Sequence, residues 1–260
     1  MNQQVFDSHL HIIDPAFPLV PNQGFLPDPF TVDDYLRKAR SLGVTAGAIV
    51  SGSYQAFDQG YLLSALKRLG PTFVGVTQLP ASIPDVEIIR LNEKGVRAVR
   101  FNLKRGGSES VEHLESFARR VFDLVGWHVE LYVDARDLHE LQVILLRLPA
   151  VSIDHLGLSK EGFPTLLRLA EKGIRVKATG FGRVDFPVGQ ALQVIHAANP
   201  QALMFGTDLP STRAPRPFEA NDISLLVDAL GDKGAELVLW MNAASFYRIP
   251  DKSKRGLTTD

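Results

Sequence analysis

The stretch VFDSHLHI (residues 5–12) sets an acid and two imidazoles, Asp7, His9 and His11, at alternate positions of an otherwise largely apolar run. Side chains two apart on a strand point to one face. The three polar groups are therefore expected together on one side of a buried strand, with both imidazoles towards its carboxyl end. Polar groups buried without partners cost free energy, so this run implies partners elsewhere in the chain.

Seven further apolar runs of similar length follow: VTAGAIVS (44–51), FVGVTQL (73–79), VRAVRFNL (96–103), HVELYVD (128–134), VSIDHLG (151–157), IRVKATG (174–180) and ALMFGTD (202–208). The segments between them carry helical spacing. TVDDYLRKARSLG (31–43), for example, has Thr31 as N-cap, Asp34 as its capping partner and Gly43 as a stop. Strands that alternate with helices argue for parallel βαβ units. Eight such units in 260 residues predict a single-domain (β/α)8 barrel over residues 1–250, with a polar tail at 251–260. The competing open, doubly wound sheet is weakened by the lack of a GxGxxG turn after the first strand. The connection DPAFPLVPNQGFLPDP (14–29) is long for a βα loop, and long loops at that end of a barrel often carry function.

Composition narrows the function classes. Lysine plus arginine (28) balances aspartate plus glutamate (29), which gives no global pull towards nucleic acid or an anionic membrane. The absence of cysteine excludes disulfides, thiolate metal sites and cysteine nucleophiles. Neither a signal-peptide pattern nor an apolar run of membrane-spanning length is evident, so a cytoplasmic location is expected.

In a barrel, the chemistry is carried by the carboxyl ends of the strands. Read in order, those ends supply His9 and His11, then Ser51 and Ser53, Gln78, Arg100 and Asn102 with Arg105, and Tyr132 and Asp134. The later ends supply Asp154 and His155, Lys177 and Thr179 with Arg183, and Thr207 and Asp208 with Arg213 and Arg216. The remaining histidines, His113, His128, His139 and His196, fall on helices or a strand start and are read as structural.

With HxH on the first strand, DHxG on the sixth and GTD on the eighth, the chain resembles the amidohydrolase superfamily. More narrowly, it resembles the branch of 2-pyrone-4,6-dicarboxylate hydrolases and sugar-acid lactonases. The segments that carry the likeness are DSHLHIIDP (7–15), GVRAVRFNLKR (95–105), GWHVELYVDARDL (126–138), VSIDHLG (151–157) and LMFGTDLP (203–210). The resemblance implies a barrel that opens a ring ester, as in aromatic catabolism, with Asp208, His9, His11 and His155 as catalytic groups. It implies substrate binding by Arg100, Arg105, Tyr132 and Arg183, to which the strand ends add Ser53, Arg213 and Arg216. The chain departs from that branch where Leu158 follows DHLG in place of an arginine and where Leu209, Pro210 and Ser211 replace a WPH. Arg213 and Arg216 are candidates to replace the missing charge. The expected partner is a small carboxylate or lactone.

Many members of the superfamily bind a divalent ion. Here no cofactor is expected. The alternative is one Zn2+ on His9, His11 and Asp208, with His155 as a further ligand. Arg100 and Tyr132 stand where the superfamily commonly has a lysine and a further histidine, and a guanidinium at that place disfavours a second dication. The rival functions are a metal-dependent sugar lactonase or amide hydrolase, a decarboxylase on the same barrel, and a non-catalytic binder of anionic metabolites.

Overall fold

The computed structural model describes residues 4–249. Eight strands form one parallel sheet in sequential order. They are β1 (Val5–Leu10), β2 (Val44–Val50), β3 (Phe73–Thr77), β4 (Val96–Asn102), β5 (His128–Tyr132), β6 (Val151–Ile153), β7 (Arg175–Ala178) and β8 (Leu203–Phe205). A helix follows each: α1 (Val32–Ala39), α2 (Gly60–Leu69), α3 (Asp85–Glu93), α4 (Leu114–Val125), α5 (Leu138–Leu145), α6 (Phe163–Glu171), α7 (Val188–Ala198) and α8 (Asn221–Glu236). A short α9 (Asn242–Phe246) ends the described chain. This is the (β/α)8 barrel that the alternating pattern predicts. The expected tail at 251–260 lies outside the described residues, among which no helix is long and apolar enough to cross a membrane.

The capping box expected at Thr31 is present: Asp34 Oδ2 accepts from the Thr31 N–H at 2.8 Å, and the Asp34 N–H reaches Thr31 Oγ1 at 3.4 Å. The barrel closes between β8 and β1. There the Asp208 N–H donates to the His9 carbonyl at 2.7 Å, and the His11 N–H donates to the Leu209 carbonyl at 2.8 Å. Gly206 permits this approach, because a Cβ at that position would lie 2.7 Å from the His9 nitrogen.

The expectation that Asp7 shares a face with the two histidines is not met. The β1–β2 register shifts between Asp7 and Leu10, and an extra residue in a strand inverts the alternation beyond it. Phe6 accordingly packs in the inner cluster, whereas Leu10 packs in the outer one against the helices. Asp7 turns to the helix side, where Tyr35 Oη donates to Oδ2 at 3.0 Å. It also accepts from the Thr207 N–H (2.8 Å) and the Thr207 hydroxyl (2.6 Å), and so clamps the β8 turn to β1. Burial pushes its carboxyl up to about 6 despite these donors.

β6 and β8 fall furthest short of their apolar runs. β6 stops at Ile153 and β8 at Phe205, because His155, Leu156 and Asp208 take left-handed φ values of 52°, 51° and 61°. The chain leaves the sheet there, so His155 and Asp208 sit in turns at the mouth. The interior is layered. Phe6, Ala46, Val74, Ala98 and Met204 fill one level, which Tyr247 plugs with its ring stacked on Phe6 at 5.3 Å between centroids. Next to it lies a buried polar network. Lys177 Nζ and Tyr247 Oη both donate to Glu130, and Lys177 also reaches Asp154 Oδ1 at 3.6 Å.

Candidate active site

His9 is fully buried at the centre of this mouth. Its Nδ1 lies 3.3 Å from Asp154 Oδ1 and 3.4 Å from Lys177 Nζ. Lys177 is already engaged by Glu130, so the charged Asp154 oxygen is the stronger claimant on Nδ1 and favours the Nδ1–H tautomer. Nε2 is then a lone pair 3.9 Å from Asp208 Oδ1. Burial pushes the imidazole down to about 3, which keeps it neutral at physiological pH.

His11 is oriented by a carbonyl, with Nδ1 2.7 Å from Val50 O. A carbonyl cannot donate, so Nδ1 carries the hydrogen and, in the neutral ring, Nε2 accepts. That nitrogen lies 3.6 Å from Asp208 Oδ1. His155 completes the group, its ring 4.7 Å from that of His9 and 5.0 Å from that of Tyr132. Burial holds its pKa well below the usual range. Gly180 makes room for it: a Cβ there would lie 2.6 Å from His155 Nδ1.

Asp208 is the acid of the group. Burial alone would raise its pKa, but the Arg183 guanidinium and the nearby histidines hold it below the carboxylate range. Arg183 binds one oxygen only, with Nε 2.8 Å and Nη2 2.7 Å from Oδ2. Among the described residues Oδ1 has no hydrogen-bond partner, and neither do His9 Nε2 and His155 Nδ1. Asp208 Oδ1 and His9 Nε2, 3.9 Å apart, are thus two buried unpartnered polar atoms side by side, and such a pair is characteristic of a site that receives something.

A cavity opens here. His11, Ser53, Arg100, Arg105, Tyr132, His155, Arg183, Asp208 and Arg213 line it, so the structure brings most of the sequence candidates together. His9 stands just behind the wall. Arg216 is not brought in: its guanidinium is 2.7 Å from Asp222 Oδ1 and 3.8 Å from Glu219 Oε2, both towards the start of α8. Arg100 lines the cavity but is committed to protein partners. Nε and Nη2 donate to Asp154 Oδ2 at 3.2 and 2.8 Å, and Nη1 donates to Ser51 O at 2.8 Å. Asp154 thus joins Arg100 to His9, and its own carboxyl is held low by His9, Lys177 and Arg100 against the opposing effect of burial. That link escaped the sequence reading. Asp154 was visible only as a strand-end acid, while Glu130 was hidden at an alternate position of the apolar run HVELYVD. Tyr54 and Thr212, which also line the cavity, had no signal beyond adjacency to Ser53 and Arg213.

The donor set fits one divalent ion. His9, His155 and Asp208 offer ligand atoms that all lie within 4.8 Å of one another. His155 therefore takes the place that the sequence reading gave to His11. A bound ion would polarise a carbonyl and acidify a water.

The Amidohydrolase family model matches residues 6–249. A 2-pyrone-4,6-dicarboxylate hydrolase of Comamonas testosteroni is 31% identical over 156 residues, which span 58% of this chain and only 51% of that protein. A 4-sulfomuconolactone hydrolase of Rhizobium radiobacter is 25% identical over 228 residues, covering 79% of this chain and 75% of that protein. The fold is shared with a probable 2-pyrone-4,6-dicarboxylic acid hydrolase of Acinetobacter baumannii, solved with citric acid bound. Its TM-score is 0.83 at 23% identity, over 95% of this chain and 100% of that one. The family match takes in every strand from β1 to β8, and this chain belongs to the amidohydrolase family.

Proposed function

We propose that the protein hydrolyses a ring ester, a lactone or 2-pyrone, that bears at least one carboxylate. The observation that carries this reading is the meeting of one ionised carboxyl, the imidazoles of His11 and His155 and several guanidiniums in a single cavity, with His9 behind its wall 3.9 Å from Asp208 Oδ1. The names of the relatives, both hydrolases of carboxylated or sulfonated ring esters, support it.

In this reading the substrate carboxylate docks on Arg105 and Arg213, which have no carboxylate partner among the described residues and line the cavity. Docking places the ring carbonyl near the histidines, so part of the barrier is met by positioning. Asp208 Oδ1 and the acceptor Nε2 of His11, 3.6 Å apart, hold a water by its two hydrogens. Asp208 takes a proton as that water attacks the carbonyl carbon. His155, with Nδ1 unpartnered, presents an N–H to the developing oxyanion. The C–O bond of the ring then breaks, and the leaving oxygen receives the proton from Asp208. Arg183 faces both Asp208 and the cavity. A substrate carboxylate that draws on its guanidinium leaves Asp208 more basic when the water must be activated.

The balance of charge supports catalysis without an added ion. Arg100, Lys177 and Arg183 already offset Asp154, Glu130 and Asp208 in the buried network. A dication would leave an excess of positive charge in a water-poor site. Turnover is therefore expected to be unchanged after exhaustive chelation. An activity that vanishes with chelator and returns with Zn2+ would instead assign the reaction to an ion on His9, His155 and Asp208. The substrate class is tested by a screen of carboxylated pyrones beside uncharged aldonolactones, in which the former are expected to be opened faster.

Arg216 serves as a control. It is bound outside the cavity, so Arg216→Ala is expected to leave KM within about twofold of wild type, as befits a partly exposed ion pair. A tenfold rise in KM would place it at the substrate after all.

A further inference from the structure

The connection between β1 and α1, residues 11–31, forms a strap across the mouth of the barrel. Its base is pinned by an antiparallel bridge, with the Ile13 N–H 2.7 Å from Phe30 O and the Phe30 N–H 2.8 Å from Ile13 O. Its tip is a two-residue hairpin. Asn22 and Phe25 pair across Gln23 and Gly24, whose φ values of 52° and 74° are the left-handed ones that such a turn requires.

The tip touches two walls of the barrel. Asn22 Nδ2 and Gln23 Nε2 each donate to the Arg105 carbonyl at 3.2 Å, in the loop after β4. The Asn22 carbonyl accepts from Arg213 Nη2 at 2.8 Å, in the loop after β8. In an eight-stranded sheet closed in sequential order, β4 and β8 stand on opposite sides. Asn22 thus bridges two loops that no strand pairing joins. Phe25 adds a second hold, since the Arg213 guanidinium carbon lies 4.2 Å from the centre of its ring. Arg213 itself has a φ of 58°, so its backbone too is held in a region that L-residues rarely occupy.

We propose that Asn22 and Phe25 are positioning residues that set the selectivity of the cavity. They hold Arg105 and Arg213 so that the site prefers a planar ring acid, with a carboxylate remote from the hydrolysed bond, over an uncharged lactone. The proposal rests on the lactone-hydrolase reading and names its substrate class. A cation oriented by a stacked ring and a carbonyl loses little rotamer freedom when it meets an anion, and that is the source of the preference.

The test compares wild type with Phe25→Ala and Phe25→Tyr in the full chain. Isophthalate, a flat dicarboxylate with no hydrolysable bond, is the calorimetric probe, and kcat and KM are measured for a carboxylated pyrone and an uncharged aldonolactone. Phe25→Ala is expected to weaken isophthalate about tenfold and to raise KM for the pyrone about as much, the size of a lost cation–π contact. Its kcat, and its KM for the aldonolactone, should stay near wild type, and Phe25→Tyr should recover binding. If Phe25→Ala binds isophthalate as tightly as wild type while pyrone turnover persists, the proposal fails and the hydrolase reading stands. Equal losses for charged and uncharged substrates also overturn it, because they mark a general loosening of the strap. If wild type neither binds isophthalate nor opens a carboxylated lactone, both readings fall together.

Discussion

Asparagine in place of Asp208 is expected to lower kcat on a carboxylated lactone by about 10²–10⁴-fold, the usual contribution of a general base. Binding should move the other way or not at all. Arg183 donates to Asp208 Oδ2 through Nε, with Nη2 2.7 Å from the same oxygen, and an amide holds it less firmly than a carboxylate. The freed guanidinium is then more available to a substrate carboxylate, so KM and the Kd for isophthalate should stay equal or fall. This split identifies a group that acts on the transition state rather than on ground-state binding. A variant with full kcat would remove Asp208 from the mechanism. One in which only KM rises would make it a binding residue.

The second large effect is on stability. Lys177 and Glu130 are both fully buried, and each is the other's principal counter-charge. Lys177→Met strands Glu130 inside the barrel with His128 Nε2 at 3.1 Å and the Tyr247 hydroxyl as its remaining partners. Breaking a buried pair from one side costs about 3–5 kcal/mol. For a chain of this size that corresponds to a fall in Tm of roughly 6–20 °C. The double variant Lys177→Met with Glu130→Leu removes the orphaned charge as well and is expected to recover much of the loss. Thermal denaturation checks both. A single variant within about 1 °C of wild type would mean that the network carries little of the fold's stability.

The contrast between β1 and β8 shows what could be read from the chain alone. The barrel was legible because apolar runs alternate with capped amphipathic segments, and that pattern is local. His9, His11, His155 and Asp208 were legible because strand ends converge in such a barrel wherever they lie in the chain. The facing of Asp7 was not. One register shift inverts a period-of-two argument, and nothing in VFDSHLHI announces where the shift falls. Pairings between distant side chains were equally hidden. Arg100 looked like a free clamp for substrate, yet Asp154 and the Ser51 carbonyl engage it. Arg213 and Arg216 are three residues apart in the proline-rich STRAPRP, and one meets Phe25 at the mouth while the other meets Asp222 on the outside. Composition could not separate them, because the path of the loop decides which way each points. Likewise, that His155 joins His9 and Asp208 in the three-ligand cluster depends on how the turns after β6 and β8 meet, which no local pattern announces.

At the centre of the account is a water, activated by Asp208, that adds to a ring carbonyl. Turnover of 2-pyrone-4,6-dicarboxylate in H₂¹⁸O with chelator present tests it most directly, with the product analysed by mass spectrometry. The account predicts that the pyrone is consumed and that the newly formed carboxylate of the opened ring carries a single ¹⁸O atom. A pyrone left intact, or a product without label as from isomerisation or decarboxylation, would contradict it.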